Sequence, residues 1–279
     1  MNCGLWNRRG GPAAWAVAFV LALLCHGSAW AWGEEGHSIV AEIAQRRLND
    51  KAAAKVAALL GKGVSLASVS TWADDVRVER SDTYNRHFVD IPLAVDAYDA
   101  ARDCRPAPRG DCVVAEVDRL VATLRSPTAT PAQQREALQF LVHFVADLHQ
   151  PMHTLQEDRG ANDVPVRLYV DPRRRERRAT NLHAAWDFGL IHVYFYSWGS
   201  YVDFLETRWL PGRDAGLLAR GSVVDWVNEA HAKARPAYAV QRGADLDNAY
   251  IAAAREAIDH ALGAGGLRLA RLLNEVLGN

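Results

Sequence analysis

The stretch LVHFVADLHQPMH (141–153) constrains the fold more than any other part of this chain. Thr130-Pro131 predicts the start of a helix ahead of it, since proline suits a first helical turn. Phe140, Leu141, Phe144 and Val145 give that helix an apolar face, and Pro151 is expected to end it. His143 and Asp147 stand four apart and share this face. A carboxylate buried beside an imidazole needs a partner, and a metal ion is a good one. The break at Pro151 re-aims the chain, so that His153 points at a different ion.

The remaining pattern is helical almost throughout. Ile39, Val40, Ile43 and Ala44, then Ala52 to Leu60, repeat at three and four residues, and Gly61 and Gly63 stop the run. Val113 to Leu124 repeats the period, with Asp111 as its expected cap. Residues 214–235 and 245–277 predict two more helices. Val164 to Val170 is the only strand-like stretch and suits a small hairpin. The expected fold is mainly α: one helical domain with long loops, covering 32–279.

Other pieces of metal chemistry surround the central helix. His183 and Asp187 repeat the His-x-x-x-Asp spacing; Trp72-Ala-Asp74 and His87-Phe88-Val89-Asp90 add carboxylates and an imidazole. Histidine and aspartate without cysteine suit zinc in a hydrolytic role. His149, His192, His231 and His260 are left out of this set and expected in solvated or capping roles, although His149 lies close enough to support a ligand from behind.

The amino-terminal end reads as a secretory leader. Arg8 and Arg9 precede an apolar run from Ala13 to Leu24, too short to span a bilayer, and Ala29-Trp30-Ala31 is a small-residue cleavage site. Cleavage after Ala31 makes Trp32 the first residue, and its free amine and carbonyl oxygen would bind a metal with His37. It also removes two of the 32 basic residues and none of the 33 acidic ones, leaving a net charge of −3. Bulk charge therefore cannot hold a polyanion, and any nucleic-acid affinity must come from a local patch or a metal site. The basic run DPRRRERR (171–178) is one such patch, or simply a solvated loop. Cys104 and Cys112 remain after cleavage. In an oxidising compartment they are expected to close a short disulfide ring, contributing about 2–3 kcal/mol.

Taken together, WGEEGH (32–37), WADDVR (72–77), HFVDIP (87–92), LVHFVADLHQPMH (141–153), GAND (160–163) and NLHAAWD (181–187) resemble the zinc-dependent, single-strand-specific nucleases with 3′-nucleotidase activity, the type I nucleases. The resemblance implies three zinc ions: one on Asp74, His87, His143 and Asp147, a second on Trp32, His37 and Asp147, and a third on His153, His183 and Asp187. It further implies that Arg77 and Asp90 act on phosphate and on the attacking water, and that Phe88 and Asn162 meet the substrate. The substrate class is then single-stranded DNA, RNA or nucleotides, handled by a monomer in the periplasm or outside the cell. Ala161 departs from the family, which usually has two glycines before the asparagine; its methyl group is expected near the substrate groove. A zinc-dependent phospholipase C shares this kind of metal core, but its terminal tryptophan stands farther from the next histidine and its last ligand is glutamate. A zinc-storage protein and a helical interaction protein are the non-enzymatic alternatives; the first usually carries His-rich tracts where this chain has dispersed ligands of hydrolase type, and the second would hold no zinc after neutral dialysis.

Overall fold

A computed structural model describes residues 32–171 and 176–278. The leader and Arg173 to Arg175 of the basic run lie outside the described residues. Six longer helices frame the chain: α1 (Glu34–Gln45), α2 (Asp50–Leu60), α3 (Val113–Arg125), α4 (Pro131–Asp147), α5 (Val223–Tyr238) and α6 (Asn248–Leu277). Short helical turns connect them. The strand-like stretch forms β1 (Pro165–Asp171), antiparallel to β2 (Glu176–Asn181). The mainly α expectation, with a small hairpin, is met.

The centre of the molecule is α4. Thr130 and Gln133 form a reciprocal capping box around Pro131, so this helix starts where its sequence predicts. From Ala137 to Asp147 every residue is buried, on all sides of the helix. A helix covered all round belongs in the core, and here that core includes His143 and Asp147. Helix α1 packs across it, and α6 closes on α1 through Gly265 and Gly266. A Cβ on Gly266 would overlap the Ile43 side chain, so only glycine allows these two backbones to approach so closely.

Four local expectations need correction. Helix α4 ends at Asp147, with Leu148 as C-cap, and Pro151 instead opens a 3₁₀ turn, Pro151–Thr154. Proline suits the first position of that turn, so it starts an element rather than ending one. Asp111 is not a helix cap; Cys112 occupies that position, and Asp111 pairs with Arg119 at 2.6 Å. Residues 214–235 divide at Gly221 (φ +98°) into a short turn, Ala215–Leu218, and α5. The last helix begins at Asn248, capped by Asp247, because Ala244–Asp245 form β3, parallel to β1. Two residues of strand are too short to leave a period in sequence. The expected disulfide joins Cys104 and Cys112, with Cα atoms 5.1 Å apart. Among the described residues no helix is long and apolar enough to cross a membrane.

Gly266→Ala should lower stability by about 1–3 kcal/mol through overpacking, read as a fall in the urea midpoint with unchanged slope.

Candidate metal centre

Asp147, at the buried end of α4, presents its two oxygens to different sets of imidazoles. Oδ1 lies 3.1 Å from His37 Nε2 and 3.5 Å from His153 Nδ1. Oδ2 lies 3.1 Å from both His143 Nε2 and His87 Nδ1. Asp74, from the turn Trp72–Asp75, adds an oxygen 3.6 Å from His87 Nδ1 and 3.8 Å from His143 Nε2. Beyond His153, Asp187 lies 3.7 Å from its Nε2 and 3.3 Å from His183 Nε2. Among the described residues three groups therefore have ligand atoms within 4.8 Å of one another: His37, His143 and Asp147; Asp74, His87 and His143; His153, His183 and Asp187. His143 belongs to two of them, sharing that the sequence did not reveal.

The backbone aims these rings. His143 Nδ1 donates to Ser70 O at 2.7 Å, His153 Nδ1 to His87 O at 3.0 Å, His183 Nδ1 to Gly160 O at 2.6 Å and His37 Nδ1 to Gly33 O at 3.3 Å. Each such bond settles the ring's orientation and leaves Nε2 facing the carboxylates, the arrangement usual behind metal-bound imidazoles. His87 is reversed: its Nδ1 faces inward. A π-helical turn, Ala185–Gly189, carries Asp187, whose Oδ1 accepts from Gln150 Nε2 at 2.5 Å. Such turns often occur at functional sites.

Burial controls the protonation of the cluster. It lowers His87 and His183 to about 4, so both are neutral donors at pH 7. Burial also opposes charge on His143, but Asp147 and Asp74 overcome it and raise that ring to about 9. Burial raises Asp187 well above the usual carboxylate range, with a further push from the negative charges of Asp147 and Asp74. Asp147 goes the other way: burial opposes its charge, yet its imidazole partners hold it well below that range.

Trp32 is buried (1 % exposed) and packs on Gly36, where a Cβ would stand 2.9 Å from the indole. The spacing Trp-Gly-x-x-Gly is therefore partly a packing requirement. Gly33 N donates to the backbone oxygen of Asp187 at 2.9 Å, which ties this end of the chain to the third group.

A cleft of about 350 Å³ opens over the cluster. Arg77, Phe88, Asp90 and Asn162 all line it beside His87, His153 and His183, so the structure brings together every side chain singled out for substrate. Arg77 lies 3.9 Å from Asp74 Oδ1. Phe88 is half-buried and meets Tyr84 edge-on. Asp90 hydrogen-bonds no imidazole among the described residues. The protein packed round the cleft, with a smaller contribution from Asp103, pushes its carboxyl up to about 6. Tyr84, Arg109, Gln156 and Arg159 line the same cleft without having been singled out. Tyr84 shares the 3₁₀ turn Ser81–His87 with a candidate ligand and the others stand in connecting segments, but nothing in their spacing marks them.

Two expectations fail. Ala161 is fully buried, so its methyl group packs inward rather than into the groove. Its φ of +66° is one that glycine adopts more readily than alanine. His149 and His231 are neither solvated nor capping: His149 donates to Val145 O at 2.6 Å within the core, and His231 spans Thr154 O and Val95 O at 2.9 and 3.1 Å. His192 and His260 do sit in partly exposed pairs, with Glu35 and with Glu229. In the basic run, Arg177 is occupied by Asp245 and Tyr169.

Gly160→Ala should cost about 2 kcal/mol or more, because φ there is +65° and the new Cβ would stand 2.8 Å from Met152 O and 3.2 Å from His183 Nδ1. The variant should also retain less metal per chain, measured by elemental analysis.

Residues 32–278 match the S1/P1 Nuclease family model. Endonuclease 2 of Arabidopsis thaliana is 29% identical over 98% of this chain and 99% of its own length. Nuclease P1 of Penicillium citrinum is 27% identical over 89% of this chain and 98% of its own, and Nuclease S1 of Aspergillus oryzae 31% over 62% and 57%. With its buried imidazole–carboxylate cluster under an open cleft, this chain belongs to the S1/P1 nuclease family, hydrolases of phosphodiester bonds.

Proposed function

We propose that this chain is an extracytoplasmic, zinc-dependent nuclease that cleaves single-stranded DNA and RNA to 5′-nucleotides and also removes 3′-phosphates from nucleotides. The observation that carries the reading is the division of Asp147, whose two oxygens each lie 3.1 Å from imidazoles of different groups beneath the cleft. A carboxylate so placed suits a bridge between two ions.

The donors fit zinc. All are imidazole nitrogens and carboxylate oxygens, and Asp74 Oδ1, which faces His87 Nδ1 and His143 Nε2, is buried without a hydrogen-bond partner. In this reading Asp74, His87, His143 and Asp147 hold one ion. The amine and carbonyl of Trp32, freed by leader cleavage, hold a second with His37 and Asp147, and His153, His183 and Asp187 hold a third. When bound, zinc supplies a Lewis acid for phosphate oxygens and an activated water.

The chain's own residues do the rest. Arg77 forks onto a non-bridging phosphate oxygen, a pairing its planar guanidinium favours. Asp90 accepts a proton from the attacking water and orients it. Phe88 stacks on a base, a contact worth about 1–3 kcal/mol that any base can make. A duplex hides its base faces, hence the preference for single strands. Asn162, held by its own Nδ2 on Arg159 O at 2.8 Å, presents its oxygen to the base edge. The leader and the Cys104–Cys112 disulfide support an oxidising compartment, periplasmic or external. The protein acts as a monomer.

Asp147→Asn should lower metal content by at least one ion per chain and abolish hydrolysis of single-stranded DNA, as chelator does to the unaltered protein. Full metal and full rate in that variant would refute the bridge. The activity should also carry an ascending limb near pH 6, since Asp90 becomes an ionised acceptor only as pH rises through about 6. Asp90→Asn should remove that limb from the kcat/KM profile.

A further inference from the structure

The disulfide ring reaches the cleft from a part of the chain that bears no candidate metal ligand. Its position is tightly held. Asn85 N donates to Arg109 O at 2.8 Å and Asn85 Nδ2 to Gly110 O at 3.0 Å. Gly110 has φ +95°, and a Cβ there would stand 2.8 Å from Asp82 O and from Arg86 Cγ. Just past the ring, Val113 N donates to Phe88 O at 3.0 Å. The ring is thus fastened along the 3₁₀ turn Ser81–His87 and to the extended residue Phe88 that follows it.

Arg109 projects from this ring onto the Tyr84 ring, with its guanidinium carbon 3.4 Å from the ring centroid. Arg77 approaches the same ring at 4.1 Å. Stacking uses the face of a guanidinium and leaves its in-plane N–H donors available. Arg109 is exposed, lines the cleft, and pairs with no carboxylate among the described residues. Arg159, the other cation on this rim, is engaged by Asp163 at 2.6 Å. Two like charges sharing one aromatic ring favour an anion that can bind between or beside them.

We propose that Arg109, held by the disulfide ring and stacked on Tyr84, binds a second backbone phosphate of a polynucleotide, and so favours strands over mononucleotides. This rests on the nuclease reading, with Arg77, 3.9 Å from Asp74 Oδ1, at the reacting phosphate and Arg109 sharing only the Tyr84 ring with it. A mononucleotide phosphate engaged at Arg77 leaves Arg109 nothing to bind. A strand supplies the next phosphate along, and the covalent ring lowers the entropic cost of meeting it.

The test compares Arg109→Ala and Arg109→Lys with the unaltered zinc-loaded protein, on an oligothymidylate and on a 3′-mononucleotide, over a range of salt. R109A should lower kcat/KM for the oligonucleotide about 5- to 10-fold, chiefly through KM, and for the mononucleotide less than about twofold. The slope of log(kcat/KM) against log[salt] for the oligonucleotide should become shallower by about 0.7, the loss of one single-strand phosphate contact. R109K, which keeps the charge but loses the planar stack, should fall between. Equal losses on both substrates, or no loss on the oligonucleotide, would overturn the proposal while leaving the nuclease reading intact. An unaltered protein that hydrolyses neither substrate would refute the nuclease reading, and this inference with it.

Discussion

One carboxylate, that of Asp147, sits where the core of this protein becomes its chemistry. It is fully buried at the end of the central helix, and imidazoles from α1, from α4 itself, from the Ser81–His87 turn and from the Pro151–Thr154 turn converge on it. A charge in that position is tolerable only while its partners stay in place. The helices, turns and loop crossings can be understood as the scaffold that keeps them there.

The scaffold works largely through backbone carbonyls. Ser70, Gly33, His87 and Gly160 each offer an oxygen that fixes one ring, and none of the four lies within a long helix. Loops here are as much a part of the candidate metal site as the helices. The left-handed run from Asp158 to Ala161 shows the cost: three non-glycine residues hold positive φ so that the Gly160 carbonyl can meet His183. Strain of this kind persists where the surrounding structure over-determines it.

Much of the site was legible in advance. The i, i+4 pair on α4, the His-x-x-x-Asp repeat at 183 and 187, and the motifs at 72–77 and 87–92 all name side chains that converge in space. They were legible because helical spacing puts such pairs on one face, and because buried polar residues in apolar surroundings stand out. The joining of His143 to two groups was not legible, since it depends on where α1 crosses α4. Nor were Tyr84 and Arg109, whose contact spans a disulfide ring and a 3₁₀ turn. The buried roles of His149 and His231 were missed because their partners are backbone oxygens, which have no sequence signature.

By itself the sequence determined that this would be a mainly helical domain with a histidine–aspartate cluster on its central helix, because apolar periodicity and capping residues act over a few neighbours along the chain. It determined too that Cys104 and Cys112 would pair, since they lie close enough for a short ring. Tertiary structure alone decided how the ligands divide into three groups and which ring nitrogen each presents, and it alone brought a remote arginine to the cleft. Those outcomes depend on crossings between segments far apart in sequence, where close packing through Gly266, the positive φ of Gly160 and the twist of single carbonyls set positions that no local pattern encodes.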